Sequence, residues 1–262
     1  MQIQFDKYQG AGNDFIIIDN RTGSYEILSE KELDLLCDRH KGIGADGVIL
    51  IQNHKELDFE MRYFNADGNL SSMCGNGGRC AVAFAHRHKI IEKSTRFMAV
   101  DGVHQATLIS PIDVRLQMQD VSGIIQNGKT IIIDTGSPHL VLLLDDIQAV
   151  DVKKEGATIR YSEAFKKEGI NVNFIEKKGN ALFDIRTYER GVENETLACG
   201  TGAVAAAIAM HHISKSKEKV TKFILNALGG KLTIDFEVKE RHYSNVFLQG
   251  PATYIFSGSI AL

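Results

Sequence analysis

The chain has 262 residues, 44% of them hydrophobic and 24% charged, with a formal net charge of −3 and no long basic tract, which excludes a nucleic-acid partner recruited by bulk positive charge. Its longest apolar stretch, around 203–210, is far short of a membrane span, and the first residues lack the charged and apolar regions of a secretion signal. Four cysteines are too sparse for a disulfide framework, so the expected compartment is the reducing cytoplasm.

In chain order the pattern predicts strands at 2–8 and 15–19, then a helix over 29–40 opened by the capping box Ser29-Glu30-Lys31-Glu32. Strands follow at 47–51 and 59–65, a helix at 77–89, and a strand at 114–118. The second half is read as strands at 130–134 and 140–144, a helix at 157–168, strands at 173–176 and 182–188, a helix at 202–214, and strands at 231–238 and 245–249. The strand runs are rich in Ile, Val, Phe and Tyr and bounded by Gly, Asp or Asn. The helices at 77–89 and 202–214 are apolar all round (Ala81-Val82-Ala83-Phe84-Ala85 in the first) and should be buried. A small-residue helix enclosed by strands implies an α/β (α+β) fold, with a mostly antiparallel sheet wrapped around a central helix, once per domain.

The halves are related. Met73-Cys74-Gly75-Asn76-Gly77-Gly78 recurs as Ala198-Cys199-Gly200-Thr201-Gly202-Ala203, the cysteines 125 residues apart. At an offset of 124, residues 59–65 lie over 183–189 and 12–18 over 136–142; one inserted residue before Cys199 brings the cysteines into step. A period this long means two copies of a domain rather than a solenoid. The expected domains are 1–118, with the strand at 250–262 packed on it, and 119–249, forming two pseudosymmetric lobes.

A thiol just ahead of Gly-x-Gly at the mouth of a helix is where the helix dipole favours thiolate and backbone N–H groups can hold an anion. Two such thiols facing one another make an acid and a base on opposite sides of one carbon, enough to invert a stereocentre without a cofactor. Other motifs read more plainly. Gly42-Ile43-Gly44-Ala45-Asp46-Gly47 matches a dinucleotide fingerprint, but with a helix before it and a strand after it, the reverse of what a nucleotide site requires. Cys74 and Cys80 with His86 and His88 lack zinc-site spacing; Cys80 and Cys37 read as small core residues, and no metal is expected. His211 and His212 close a helix, where positive charge suits the dipole. His139, in a turn entering a strand, belongs at a strand edge. Glu189 follows the strand ending at Tyr188 and is a candidate base; Arg190 beside it is suited to clamping a carboxylate.

Taken together these residues resemble the diaminopimelate epimerase family from end to end. The resemblance is carried by Gly10-Ala11-Gly12-Asn13-Asp14-Phe15, Asp38-Arg39-His40 with Gly42–Asp46, Phe64-Asn65-Ala66-Asp67-Gly68, Met73 to Cys80, Tyr188-Glu189-Arg190-Gly191 and Glu195 to Gly202. It implies two lobes with the active site in the cleft between them, and interconversion of LL- and meso-diaminopimelate without pyridoxal phosphate, metal or any other cofactor. By position it makes Cys74 and Cys199 the proton donor and acceptor, with His139 and Glu189 beside the thiols promoting their deprotonation. Asn13, Asn65, Asn171 and the Glu189-Arg190 pair would bind substrate, while Gly75-Asn76 and Gly200-Thr201 would supply backbone donors to its carboxylate. Two positions depart from the family pattern: Gly47 replaces a substrate-binding Gln, and Ser137 replaces an Asn before Pro138. The family further implies a homodimer with an aromatic near the C-terminus, here Phe256, at the interface, and a small-molecule substrate rather than a nucleic acid or membrane. The alternatives are another two-cysteine racemase, acting on proline or hydroxyproline, and a non-catalytic binding protein for a dibasic amino acid; the phenazine-biosynthesis isomerase type lacks the cysteine pair.

Overall fold

The computed structural model describes residues 1–25, 28–71, 73–214 and 221–262. The chain divides into two compact units, Met1–Leu116 with Gly250–Leu262, and Gln117–Gln249. The first contains β1 (Gln2–Gly10), β2 (Asn13–Asp19), α1 (Glu30–Cys37), β3 (Gly47–Gln52), β4 (Phe59–Asn65), α2 (Gly75–Arg87), β5 (Ser94–Ala99), β6 (Gly102–Ser110) and β7 (Asp113–Gln117). The second contains β8 (Val121–Ser122), β9 (Ile124–Asn127), β10 (Thr130–Asp134), β11 (Pro138–Leu144), α3 (Val152–Arg160), β12 (Asn171–Lys177) and β13 (Leu182–Glu189). It continues with β14 (Asn194–Thr196), α4 (Gly200–Ser214), β15 (Lys222–Ala227), β16 (Gly230–Lys239) and β17 (His242–Pro251), after which β18 (Thr253–Ala261) returns to the first unit.

Strands of the first unit pair in the order β18-β1-β2-β3-β4-β5-β6-β7, and those of the second in the order β9-β10-β11-β12-β13-β15-β16-β17. Pairing sense matches step for step. All neighbours are antiparallel except β2/β3 and β4/β5 in one unit, and β11/β12 and β13/β15 in the other. Register matches too: Phe15 lies opposite Gly47 where His139 lies opposite Asn171.

Each unit wraps its sheet around one helix. α2 packs against β1, β2, β3, β4, β6 and β18, and α4 against β10, β11, β12, β13, β15 and β16. From Gly75 to Ala85 every residue of α2 is buried, and α4 is buried from Gly202 to Met210. Their small Ala and Gly residues let strands approach on all sides, so the all-round apolar pattern gives a central helix. The strands beside it read as continuous apolar runs because their other face is covered as well. In the first unit Ile16, Ile18, Val48 and Leu50 pack with Leu33 and Leu36 of α1; in the second Leu140, Val172 and Phe174 pack with Val152 of α3.

Two local expectations change, and two hairpins join the elements read from the sequence. α1 ends at Cys37 rather than continuing to His40: Asp38 is extended (φ −62°, ψ 120°), and the N–H groups of Ile43, Gly44 and Ala45 return to cap the carbonyls of Leu36 and Cys37. A Cβ on Gly42 would stand 1.9 Å from the Leu35 carbonyl oxygen, so the glycine-rich loop is a helix stop. The second half's short helix lies at Val152–Arg160 rather than 157–168, started by the Asp151 side chain accepting from Lys154 N–H at 3.1 Å. Finally, β5/β6 and β15/β16 are antiparallel hairpins. Their turns close on Gly102 (φ +124°) and Gly230 (φ +147°), and Asp101-Gly102 is the sequence signal for the first.

Candidate active site

Both cysteines of the repeated motif occupy the N-cap of their unit's central helix. The carbonyl of Cys74 accepts from Gly78 N–H at 2.7 Å and that of Cys199 from Ala203 N–H at 2.9 Å. Both side chains are half-buried. The following residues, Gly75-Asn76 and Gly200-Thr201, open helices, so their N–H groups belong to the set with no intrahelical acceptor. The local conformation is therefore the same; the residues supporting it are not.

Beneath the Cys74 loop lies Arg79, wholly buried. Its guanidinium donates to the Gly75 carbonyl (3.2 Å), Asn76 Oδ1 (2.9 Å) and the Pro251 carbonyl (3.3 Å). Asn76 passes its amide to Asn13 Oδ1, and Asn13 donates to Asp46 Oδ2 at 3.0 Å. Arg39 then joins Asp46 (2.8 Å) to Asp14 (2.7 Å), and Lys7 lies 2.8 Å from Asp14. Burial alone would raise the Asp14 carboxyl, but Arg39 and Lys7 outweigh it and hold it below the usual carboxylate range. Asn13 and Asn76, both expected to touch substrate, are thus held by a charged network reaching back into β1.

Beneath the Cys199 loop the support is an imidazole. His139 is fully buried, with Nε2 2.9 Å from Thr201 Oγ1, which in turn lies 3.4 Å from Cys199 Sγ. On its other side Asn173 Nδ2 is 3.1 Å from His139 Nδ1 and 3.1 Å from the Leu140 carbonyl oxygen, while Asn173 Oδ1 accepts from Thr187 Oγ1 at 3.0 Å. Thr135 Oγ1 donates to the Thr201 carbonyl at 2.9 Å. Burial, reinforced by the charge of Arg190, pushes the His139 pKa down to about 3, so the ring is neutral. Asn173, Thr187, Thr135 and Arg79 were not singled out from sequence. Their signal is polarity inside an apolar run: Asn173 lies between Val172 and Phe174 on a strand buried on both faces.

Asn171 joins two turns, donating to Ser137 Oγ (2.8 Å) and the Pro138 carbonyl (3.1 Å) and accepting from Arg190 N–H (2.8 Å). Ser137 is therefore a partner of Asn171. The exposed Arg190 donates to the Glu168 carbonyl at 2.8 Å, and Glu189, half-buried at the end of β13, accepts from Thr196 Oγ1 at 3.0 Å. Asn65 is exposed at the end of β4, opposite Gly47. A Cβ on Gly47 would stand 2.4 Å from the Phe64 carbonyl oxygen and 2.5 Å from Tyr63 Cε2, so the Tyr63 ring fills the space a longer residue would need. Phe256 is 44% exposed, edge-on to Phe5.

Cys37 and Cys80 are core thiols, each pushed up to about 12 by burial. His88 Nε2 lies 2.8 Å from Asp6 Oδ2. Among the described residues no group of His, Cys, Asp and Glu is arranged to hold a metal ion, and no helix is long and apolar enough to cross a membrane. His211 departs from its expected role at a helix end. It packs among Phe223, Phe236 and Tyr243, with Nδ1 3.1 Å from the Tyr243 hydroxyl, and burial, with the neighbouring His212, lowers its pKa, which works against the charge that a helix end favours.

The family model described as diaminopimelate epimerase matches residues 5–119 and 131–255. A diaminopimelate epimerase from Flavobacterium psychrophilum is 47% identical over 254 residues, covering 97% of this chain and 98% of that one. Among solved structures, a phenazine biosynthesis protein of the PhzF family from Bacillus anthracis superposes with a TM-score of 0.79 at 13% identity, all of both chains being covered. A hydroxyproline epimerase from Agrobacterium vitis superposes with a TM-score of 0.70 at 13% identity, over 100% of this chain and 93% of that one. At such identities the two structures share the fold.

Proposed function

Because the chain belongs to the diaminopimelate epimerase family, we propose that it interconverts LL- and meso-2,6-diaminopimelate through the thiols of Cys74 and Cys199, without a cofactor. It is an isomerase of the epimerase type. The observation that carries the mechanism is the repeated placement of one thiol at the N-cap of each central helix, in a chain whose two halves both match the family.

Inverting one α-carbon requires a base for one face and an acid for the other. One cysteine, as thiolate, takes the α-proton; the other, as thiol, returns a proton to the opposite face, so the charge passes from one sulfur to the other. The α-proton is weakly acidic and thiolate is a modest base, so the carbanion-like transition state must be bound far better than the substrate. N–H groups at Gly75-Asn76 and Gly200-Thr201 are suited to its carboxylate. Asn13, Asn65, Asn171, Glu189 and Arg190 serve substrate binding, Arg190 as the carboxylate partner, and His139 and Glu189 support thiol ionisation. The reaction feeds lysine and peptidoglycan-precursor synthesis in the cytoplasm, and the working form is a homodimer with Phe256 at its interface.

Incubation in D₂O with LL- or meso-diaminopimelate, and separately with proline, hydroxyproline, lysine and glutamate, tests this by NMR of α-proton exchange. Only the diaminopimelates are expected to exchange, because a site built for a second amino-acid head leaves polar groups unpaired with the others. Exchange with proline but not diaminopimelate would replace the substrate and leave the two-thiol chemistry standing.

A further inference from the structure

The geometry assigns Asn173 as a positioning residue that fixes the tautomer of His139 and, through Thr201, turns a hydroxyl proton onto Cys199 Sγ. This rests on the reading of Cys199 as one of the two reacting thiols.

The assignment begins at a carbonyl. Asn173 is fully buried, and its side-chain nitrogen lies 3.1 Å from the Leu140 carbonyl oxygen, which can only accept. That atom is therefore the amide NH₂. Its second hydrogen points to His139 Nδ1, also at 3.1 Å, while the amide oxygen is occupied by the Thr187 hydroxyl. Facing a donor, Nδ1 must carry a lone pair, so the neutral ring carries its hydrogen on Nε2. Nε2–H then donates to Thr201 Oγ1 at 2.9 Å. With a lone pair of that oxygen committed, the hydroxyl hydrogen is free to turn to Cys199 Sγ at 3.4 Å. The sulfur receives a hydrogen bond that is stronger when it is thiolate. His139 thus acts on Cys199 as the head of a donor relay, and Nε2 does not accept a proton from the thiol.

Two further observations point the same way. A Cβ on Gly202 would stand 2.4 Å from Asn173 Oδ1, so the last glycine of the Cys199 motif makes room for this amide. In the first unit the positions 124 residues earlier are Phe15, Ile49 and Tyr63. There Gly77 faces Ile49, Met61 and Phe15 carbon atoms, and the Phe15 and Tyr63 rings meet edge-on. The fold therefore does not require polar groups at these places.

The test combines ¹⁵N-histidine NMR of the intact chain with iodoacetamide alkylation of Cys199, followed by peptide mapping across pH. In the natural protein His139 should show a protonated Nε2 and an unprotonated Nδ1 from neutral pH to well below the ordinary histidine range. Asn173→Asp puts an acceptor opposite Nδ1 and should move the proton there. The alkylation midpoint of Cys199 should rise by about one pH unit, tenfold less thiolate at a fixed pH. Thr201→Val should raise that midpoint equally while leaving the His139 proton on Nε2, and Thr201→Ser should restore it. If Asn173→Asp does not fold, the natural protein's spectrum and the Thr201 pair still decide. A natural His139 protonated on Nδ1, or a Thr201→Val midpoint equal to the natural one, overturns the proposal. Neither readout uses diaminopimelate, so failure of the substrate reading in the exchange assay leaves this result separately legible.

Discussion

Under Cys74 the supporting groups are a buried guanidinium, two asparagine amides and an aspartate; under Cys199 they are a neutral imidazole, an asparagine amide and threonine hydroxyls. The backbone above is alike, with the same N-cap carbonyl bonded to the residue four further on. Duplicating a domain fixes where a thiol stands, while the few polar residues beneath decide what it faces. Arg79 brings a permanent charge to its loop. His139 brings none, because burial keeps it neutral, and acts through the direction of its N–H. One scaffold thus holds one thiol over a cation and its counterpart over a dipole chain, a basis for unlike resting states.

The comparison breaks outright if the thiols are not a pair. Cys74→Ala and Cys199→Ala should each lower epimerisation by about 10²–10⁴-fold or more, as loss of a general acid or base does. A single-cysteine variant that still inverts diaminopimelate at a near-natural rate would end the two-base reading.

Arg79 and its counterpart by position, Val204, sharpen the contrast in support. Arg79→Met removes three hydrogen bonds from a charged donor, those to Gly75 O, Asn76 Oδ1 and Pro251 O. Each such loss costs about 1–3 kcal/mol, so destabilisation of about 3 kcal/mol or more is expected by urea denaturation. Val204→Ala, which removes only apolar volume, should cost less.

The motif glycines offer a matched pair. Ala at Gly202 meets Asn173 Oδ1 at 2.4 Å, whereas Ala at Gly77 meets Ile49 Cδ1 at 3.3 Å. Gly202→Ala should destabilise by about 1–3 kcal/mol, as overpacking does. Gly77→Ala should stay within about 1 kcal/mol of the natural protein, its helix propensity offsetting the tighter contact. Equal effects in thermal melts would contradict the polar floor assigned to the second unit.

The smallest effect is on stability against pH. His139 titrates near 3 when folded and near 6.5 when unfolded. Above pH 6.5 it is neutral in both states and contributes no slope. Below that, the unfolded chain binds a proton that the folded one refuses, so stability falls by about 1.4 kcal/mol per pH unit. Between pH 6.5 and 5 the loss should be about 1–2 kcal/mol, and His139→Gln should remove that part of the slope. His211, also depressed by burial, adds in the same direction and remains in the variant.

The amino-acid sequence determined the things set by local pattern and by self-similarity. The capping box closes as read, Ser29 and Glu32 bonding reciprocally, because its four residues suffice to satisfy the helix's first N–H groups. All-round apolarity marked α2 and α4 as central, since a helix with no polar face has nowhere else to sit. An offset of 124 anticipated matching strand register, because period-two strands duplicated intact keep their facing. What tertiary structure decided is where polar groups meet across elements distant in the chain. Nothing near Gly47 announces that the Tyr63 ring and the Phe64 carbonyl fill its space. Nothing near His211 announces the three aromatic rings that pack around it. The proton on His139 is the sharpest case, set by the Leu140 carbonyl acting through Asn173. A tautomer follows from hydrogen-bond partners in three dimensions, and those partners came together only when β11, β12, β13 and α4 packed.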